Sequence, residues 1–335
     1  MGQKSSQIPI KQGIIKLETD QVSYMPGNFI KGNIKICIFQ SFCTPNLKLK
    51  LKVEECTEFN GFGGHKLHYL KEITIVNFKH EIIAPGEYDY PFNIYIPVNL
   101  PGSFEYYDKD CLAYITYILE ASLKSIVPKN SIMNSILILV NQQSNFRKIP
   151  VIRENSKNLY SLICLPQGKS RLKVSINEEN FLNSGSLRVF CELDNRESKL
   201  NATKIKAKIH KYILLKDNNN RSKLITRKIS RVNYNYVYPK KEITKFTLEI
   251  FIKNQNISNK KYFQKCDHLN LFKNKEILNM LHTTISSEFI RCIYVLELKS
   301  FFKESFFNIS GPHLKTIISM SITESNNEIL KESNL

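Results

Sequence analysis

Hydrophobic and polar residues alternate with a period of two along much of the chain. The clearest run, residues 47–53, reads Leu-Lys-Leu-Lys-Leu-Lys-Val. Successive side chains of a β-strand point to opposite faces, so this run predicts a strand with one buried and one solvated face. Similar runs occur at residues 34–38, 172–176, 187–193, 205–209 and 248–252, and longer apolar runs at 112–123 and 292–302. The pattern predicts an all-β fold of the β-sandwich type.

The alternation fails between residues 141 and 158, where polar residues accumulate. Because domains usually have roughly 100–200 residues, we expect two of them, each with its own core. The predicted organisation is an N-terminal anchor segment at residues 1–9, a β-sandwich at residues 10–145, a second β-sandwich at residues 160–323 and a short tail at residues 324–335.

Positive charge is concentrated in the second half of the chain. The 335 residues carry a formal net charge of +18, yet residues 1–150 hold 16 basic and 13 acidic residues. Residues 196–261 alone hold 18 basic and 4 acidic residues. A strand whose lysines alternate with apolar residues presents those lysines on one face, which is suited to anionic headgroups or phosphorylated tails.

The residues predicted to form this anionic lipid- or phosphate-binding face are Lys204, Lys206, Lys208, Lys211, Arg227, Lys228 and Arg231. The alternative is a lysine-rich solvated surface without a ligand. Nucleic acid is not an expected partner, because no recognised module interleaves aromatic residues with these lysines.

No catalytic or metal-binding motif is complete. Gly168-Lys169-Ser170 resembles the end of a phosphate-binding loop, but Ile163 stands where that motif requires glycine. His65 and His68 have a metal-compatible spacing without a third ligand nearby, and the eight cysteines include no Cys-x-x-Cys pair. We therefore expect a non-enzymatic protein with no catalytic residues, no cofactor and no metal.

The first residues indicate lipid modification. Gly2 and Ser6 match the acceptor pattern for N-myristoylation. One myristoyl chain binds membranes only marginally, with an association constant of about 10⁴ M⁻¹, so basic residues would have to supply a second signal. We expect a cytoplasmic protein that associates peripherally with the plasma or endosomal membrane, since no secretory signal or membrane-spanning run is present.

Three turn signatures follow one another along the first half. They are Tyr-Met-Pro-Gly at residues 24–27, Pro-Gly-Glu-Tyr-Asp-Tyr-Pro-Phe at residues 85–92 and Leu-Pro-Gly-Ser-Phe-Glu at residues 100–105. Together they resemble the arrestin superfamily, and more closely its arrestin-domain-containing (α-arrestin) branch, over about residues 10–323.

The resemblance implies two tandem immunoglobulin-like β-sandwiches. It also implies an adaptor that binds cytoplasmic tails of membrane proteins, often phosphorylated, and supports their endocytosis or sorting. A retromer-subunit-like coat scaffold and a simple anionic-lipid-binding protein remain alternatives. The chain departs from the α-arrestin pattern in having no Pro-Pro dipeptide, so the ligase-recruiting Pro-Pro-x-Tyr motif is absent.

Residues 58–68 fall where the family places a receptor-probing loop, and the glycines at 61, 63 and 64 predict a mobile segment. The residues predicted to contact a partner there are Phe59, Phe62, His65, His68 and Tyr69. The alternative is a hairpin connection that contacts no partner.

Overall fold

The computed structural model of the chain describes residues 12–78, 82–125, 131–142, 151–161, 165–176, 186–251, 284–303 and 313–320. These residues form twenty β-strands, with no helix among them. The predicted all-β fold class is confirmed. By their contacts, the described residues fall into two compact units, one ending at residue 142 and the other beginning at residue 151.

The first unit contains eleven strands in three sheets. They are β1 (Gly13–Thr19), β2 (Ser23–Tyr24), β3 (Phe29–Ile38), β4 (Phe42–Cys43), β5 (Asn46–Phe59), β6 (Phe62–Asn77), β7 (Ile82–Ile83), β8 (Gly86–Tyr95), β9 (Phe104–Asp108), β10 (Cys111–Leu123) and β11 (Ile132–Val140). One sheet has the order β1-β3-β8, the second has the order β2-β11-β10-β5-β6 with β9 beside β10, and β4 pairs with β7.

The alternating apolar residues form the core of this unit. The leucines at 47, 49 and 51 on β5 are fully buried, as are Ile30 and Ile34 on β3. The lysines between the leucines lie on the opposite face of β5, where Lys48 pairs with Glu72 of β6. The period-two pattern therefore predicted both the strand and its buried face.

The second unit contains nine strands in two sheets. They are β12 (Val151–Ser161), β13 (Leu165–Ile176), β14 (Ser186–Asp194), β15 (Ala202–Lys216), β16 (Ser222–Tyr234), β17 (Ile243–Phe251), β18 (Ile285–Ser286), β19 (Ile290–Phe302) and β20 (His313–Met320). The first sheet has the order β12-β13-β14-β17. In the second sheet β16 pairs with β15 and β15 with β19, while β18 and β20 both pair with β19.

Part of the expected polar connection is a strand. Residues 151–158 belong to β12, which pairs within its sheet only with β13. Most side chains of β12 are exposed, so an edge strand of this kind carries no apolar alternation by which the sequence could reveal it. The predicted division into domains near residues 145–160 stays a prediction.

Candidate anion-binding face

Strand β15 distributes its side chains over two faces as the period-two pattern predicts. Ile205 and Ile209 are fully buried on the inner face of the sheet. Lys204, Lys206 and Lys208 alternate with the buried residues and are partly exposed on the outer face. The strand therefore presents a row of lysines on the outside of the second unit.

The neighbouring strands add cations to this row. Lys206 pairs with Lys299 on β19, and Lys299 in turn pairs with Lys315 on β20. On the other side, Lys208 pairs with Arg231 on β16. Residues directly opposite each other on adjacent strands share a face, so these cations lie on one surface.

We call this surface the basic face; its cations are Lys204, Lys206, Lys208, Lys228, Arg231, Lys299 and Lys315. Strands β15, β16, β19 and β20 hold five, four, two and one Lys or Arg residues, which makes twelve. Glu297 on β19 is the single acidic residue in the same four strands. With seven cations and one carboxylate, the basic face has a large excess of positive charge.

Two of the predicted residues do not lie on the basic face. Lys211 falls on the inner face of β15, where it is 8% exposed and its Nζ is 6.0 Å from the centroid of the Tyr294 ring. Burial lowers the pKa of Lys211. Arg227 pairs directly with Lys211, so it projects from the same side, whereas Lys228 pairs with His210 on the outer side. The prediction that Lys211 and Arg227 share a face with Lys204, Lys206 and Lys208 is therefore wrong.

Glu297 lies at the centre of the basic face. Its carboxylate oxygens are 2.8 Å from Nζ of Lys315, 3.6 Å from Nζ of Lys299 and 3.7 Å from Nζ of Lys208. Burial works to raise the pKa of Glu297, but these three lysines outweigh it and lower the pKa below its usual value. The carboxylate is therefore ionised at neutral pH.

The crowding of charge also affects the other titratable groups of the basic face. The pKa of Lys206 is lowered, first by burial and then by repulsion from Arg231 and Lys208. The pKa values of His210 and His313 are lowered by burial and by nearby lysines. Both imidazoles are therefore mainly neutral at pH 7, and the positive charge at that pH comes from lysine and arginine.

The structure adds residues that the sequence analysis missed, namely His210, Glu297, Lys299, His313 and Lys315. The alternation at residues 295–299 does place Glu297 and Lys299 on the same face of one strand. Their position beside Lys206 and Lys208 depends on which strands pair, and local sequence does not contain that information.

The segment predicted to be a mobile loop is a tight hairpin. Strands β5 and β6 are joined by Asn60 (φ 51°) and Gly61 (φ 78°), and Phe59 pairs with Phe62 across the turn. Positive φ at both central residues is the mark of a type I′ turn, for which Asn-Gly is the preferred sequence. Residues 62–68 continue as strand β6, so the prediction of a loop over residues 58–68 is wrong.

The predicted contact residues of this hairpin differ in exposure. Phe59 is buried, whereas Phe62 is 39% exposed, and burial raises the pKa of the partly exposed Tyr69. The two histidines face different carboxylates: Nε2 of His65 is 3.5 Å from Glu54, and Nε2 of His68 is 2.8 Å from the fully buried Glu55.

No group of three or more potential metal ligands occurs in the described part of the chain.

No protein-family model matches the chain. It is similar to arrestin domain-containing protein A of Dictyostelium discoideum. The two sequences are 25% identical over 225 residues, which cover 60% of this chain and 38% of that relative. The chain thus spans less than half of the relative's length, and the similarity supports the arrestin-like resemblance loosely.

Several predictions of the sequence analysis concern residues that the structure does not describe. The myristoylation site at Gly2, the anchor segment at residues 1–9 and the tail at residues 324–335 all lie outside the described residues. Among those that are described, there is no helix with the length and apolar character needed to cross a membrane.

Proposed function

We propose that this chain is a non-enzymatic arrestin-like adaptor that places its basic face on anionic membrane surfaces. There it binds cytoplasmic regions of membrane proteins and supports their endocytosis or sorting. The observation that carries the membrane part of the proposal is the basic face itself, with seven cations on four strands around one carboxylate. The adaptor part is supported by the similarity to an arrestin domain-containing protein.

The shape of the basic face favours a membrane over a single extended tail. Its cations are spread across four adjacent strands, and a strand spacing of about 4.8 Å makes the face about 14 Å wide. They project from the outer surface of a sheet. A negatively charged leaflet can contact all of them at once, and each basic residue near its surface contributes about 1 kcal/mol.

A myristoyl group on Gly2 would complete a two-signal attachment. A single acyl chain is a marginal anchor, and the basic face would supply the second contribution. The acceptor pattern at Gly2 and Ser6 supports this modification.

The β5–β6 hairpin is the proposed contact for the membrane protein. Phe62 and His65 are exposed near the hairpin tip and combine an apolar ring with a polar one. Support for this contact comes from the resemblance, which places a receptor-probing element at the same point of the sequence. Phosphorylated tails are the second candidate ligand of the basic face.

The first test is a charge-reversal variant, Lys204→Glu/Lys206→Glu/Lys208→Glu, assayed by co-sedimentation with vesicles containing phosphatidylserine. Three residues at about 1 kcal/mol each predict a loss of affinity of about a hundredfold or more. Wild-type binding should also weaken as salt is added, because the Debye length is about 8 Å at physiological ionic strength.

The matched control reverses three exposed lysines of the same unit outside the four strands, Lys173→Glu/Lys240→Glu/Lys245→Glu. It changes the net charge by the same amount and should retain most of the binding. Equal binding by the wild type and the basic-face variant, without dependence on salt, would show that the lysines form only a solvated surface.

A further inference from the structure

Glu297 is a negatively charged residue surrounded by the lysines of the basic face. It is the single acidic residue in the four strands that form the face, and its side chain is 14% exposed. An ion pair that is mostly removed from water gains Coulomb energy but also bears the cost of desolvating its charges, so it is weak evidence of a stabilising role. A contribution to folding is therefore a weak reason for placing a carboxylate there.

The geometry puts the Glu297 carboxylate where an anionic ligand would bind. Lys208 is its direct partner on β15, Lys299 lies two residues further along β19, and Lys315 is the diagonal neighbour on β20. Three adjacent strands thus direct three ammonium groups at one carboxylate, all within 4 Å of its oxygens. An incoming anion has to share these lysines with Glu297 or displace it.

The charge of the incoming group decides whether this exchange is favourable. A phosphodiester carries one negative charge, as the carboxylate does, so replacing one with the other gains little. A phosphomonoester carries about −1.5 to −2 at pH 7 and has three acceptor oxygens, so it can satisfy the three lysines better than the carboxylate does.

We propose that Glu297 is a specificity-determining residue: held by Lys208, Lys299 and Lys315, its carboxylate makes the basic face select phosphomonoester lipid headgroups over phosphodiester headgroups. This inference rests on the proposed membrane function and states which lipid chemistry the basic face accepts. It attributes selectivity to an internal competitor for the lysines rather than to the number of lysines.

The experiment compares the full-length wild type with Glu297→Gln on two kinds of phosphatidylcholine vesicle. One kind contains phosphatidic acid, a phosphomonoester, and the other contains phosphatidylglycerol, a phosphodiester, at matched total surface charge. The control is Glu192→Gln, which removes a carboxylate from β14 in the other sheet, where Glu192 is 3.6 Å from Lys245.

We expect the wild type to bind the phosphatidic acid vesicles at least about fivefold more tightly than the phosphatidylglycerol vesicles. That factor corresponds to about 1 kcal/mol, the contribution of one charge near an anionic surface. Glu297→Gln should bind phosphatidylglycerol about fivefold more tightly than the wild type and lose most of the preference. Glu192→Gln should keep the preference of the wild type.

The possible failures are distinguishable. If Glu297→Gln binds vesicles with the same preference as the wild type, the selective role of Glu297 is overturned while the membrane function stands. If no variant binds either vesicle, both proposals are overturned. If phosphoserine peptides bind to the basic face but vesicles do not, the ligand is a phosphorylated tail and the lipid assignment is wrong.

Discussion

At the scale of single residues, one step along a strand decides which face a side chain occupies. Lys206 and Lys208 lie on the outer face of β15, and Lys211 is buried on the inner face with Ile209 and Ile213. The alternation of the sequence places residue 211 on the same face as the buried Ile209 and Ile213. This pattern alone could have excluded Lys211 from the predicted anion-binding face. What the pattern does not indicate is that a lysine is accommodated there beside an aromatic ring.

Glu105 in the first unit is a buried carboxyl group that should make the stability of the protein depend on pH. It is 8% exposed, and no hydrogen-bond partner for its Oε1 is found in the described ranges. Burial raises the pKa of Glu105 from 4.5 to about 7, despite an opposing contribution from Tyr107. Above pH 7 the carboxylate is ionised in both states, so the folded state bears the cost of burying the charge.

As the pH falls from about 7 to 4.5, the folded protein takes up this proton first and the cost disappears. Glu105→Gln should therefore raise the free energy of unfolding by on the order of 1–3 kcal/mol at pH 8 and leave it nearly unchanged at pH 4. Urea unfolding of the variant across this pH range measures the effect. The exposed Glu87→Gln is the control, and a gain independent of pH would contradict the assignment.

At the scale of elements, the β5–β6 hairpin shows how turn chemistry outweighs composition. Four residues of glycine-rich sequence at positions 61–64 favoured a loop, because glycine weakens strands. The Asn60-Gly61 pair nevertheless sets a two-residue turn, and Gly63 and Gly64 pair with β5 as part of β6. The Asn-Gly signal was present in the sequence and is specific enough to have predicted the hairpin.

The hairpin turn can be tested at Gly61. Its φ of 78° disfavours a side chain, while an added Cβ would meet no atom within 4 Å, so Gly61→Ala isolates the backbone effect. We expect a loss of about 1 kcal/mol in the free energy of unfolding, measured in urea. Gly61→Asn should lose less, because asparagine tolerates this conformation better. Equal losses for the two variants would show that the turn differs from the one described.

At the scale of the whole molecule, the sequence predicted the fold class and the charge distribution but only part of the candidate site. Period-two runs identified the strands because each strand buries one face. The order of strands in a sheet depends on packing between distant segments. This order brings Lys299 next to Lys206 and Lys315 next to Lys299. The position of Glu297 among lysines of neighbouring strands therefore could not be predicted from the local sequence.

The most direct test of the proposed membrane function is lysine acetylation footprinting of the full chain, with and without vesicles that contain phosphatidic acid. Mass spectrometry gives the rate of modification at each lysine. Contact of the basic face with the leaflet predicts that Lys206, Lys299 and Lys315 become modified several-fold more slowly, while Lys173 and Lys245 in the other sheet keep their rates. Slower modification at Lys173 and Lys245 instead, or unchanged rates at the basic face while the protein is bound to vesicles, would contradict contact of the basic face with the membrane.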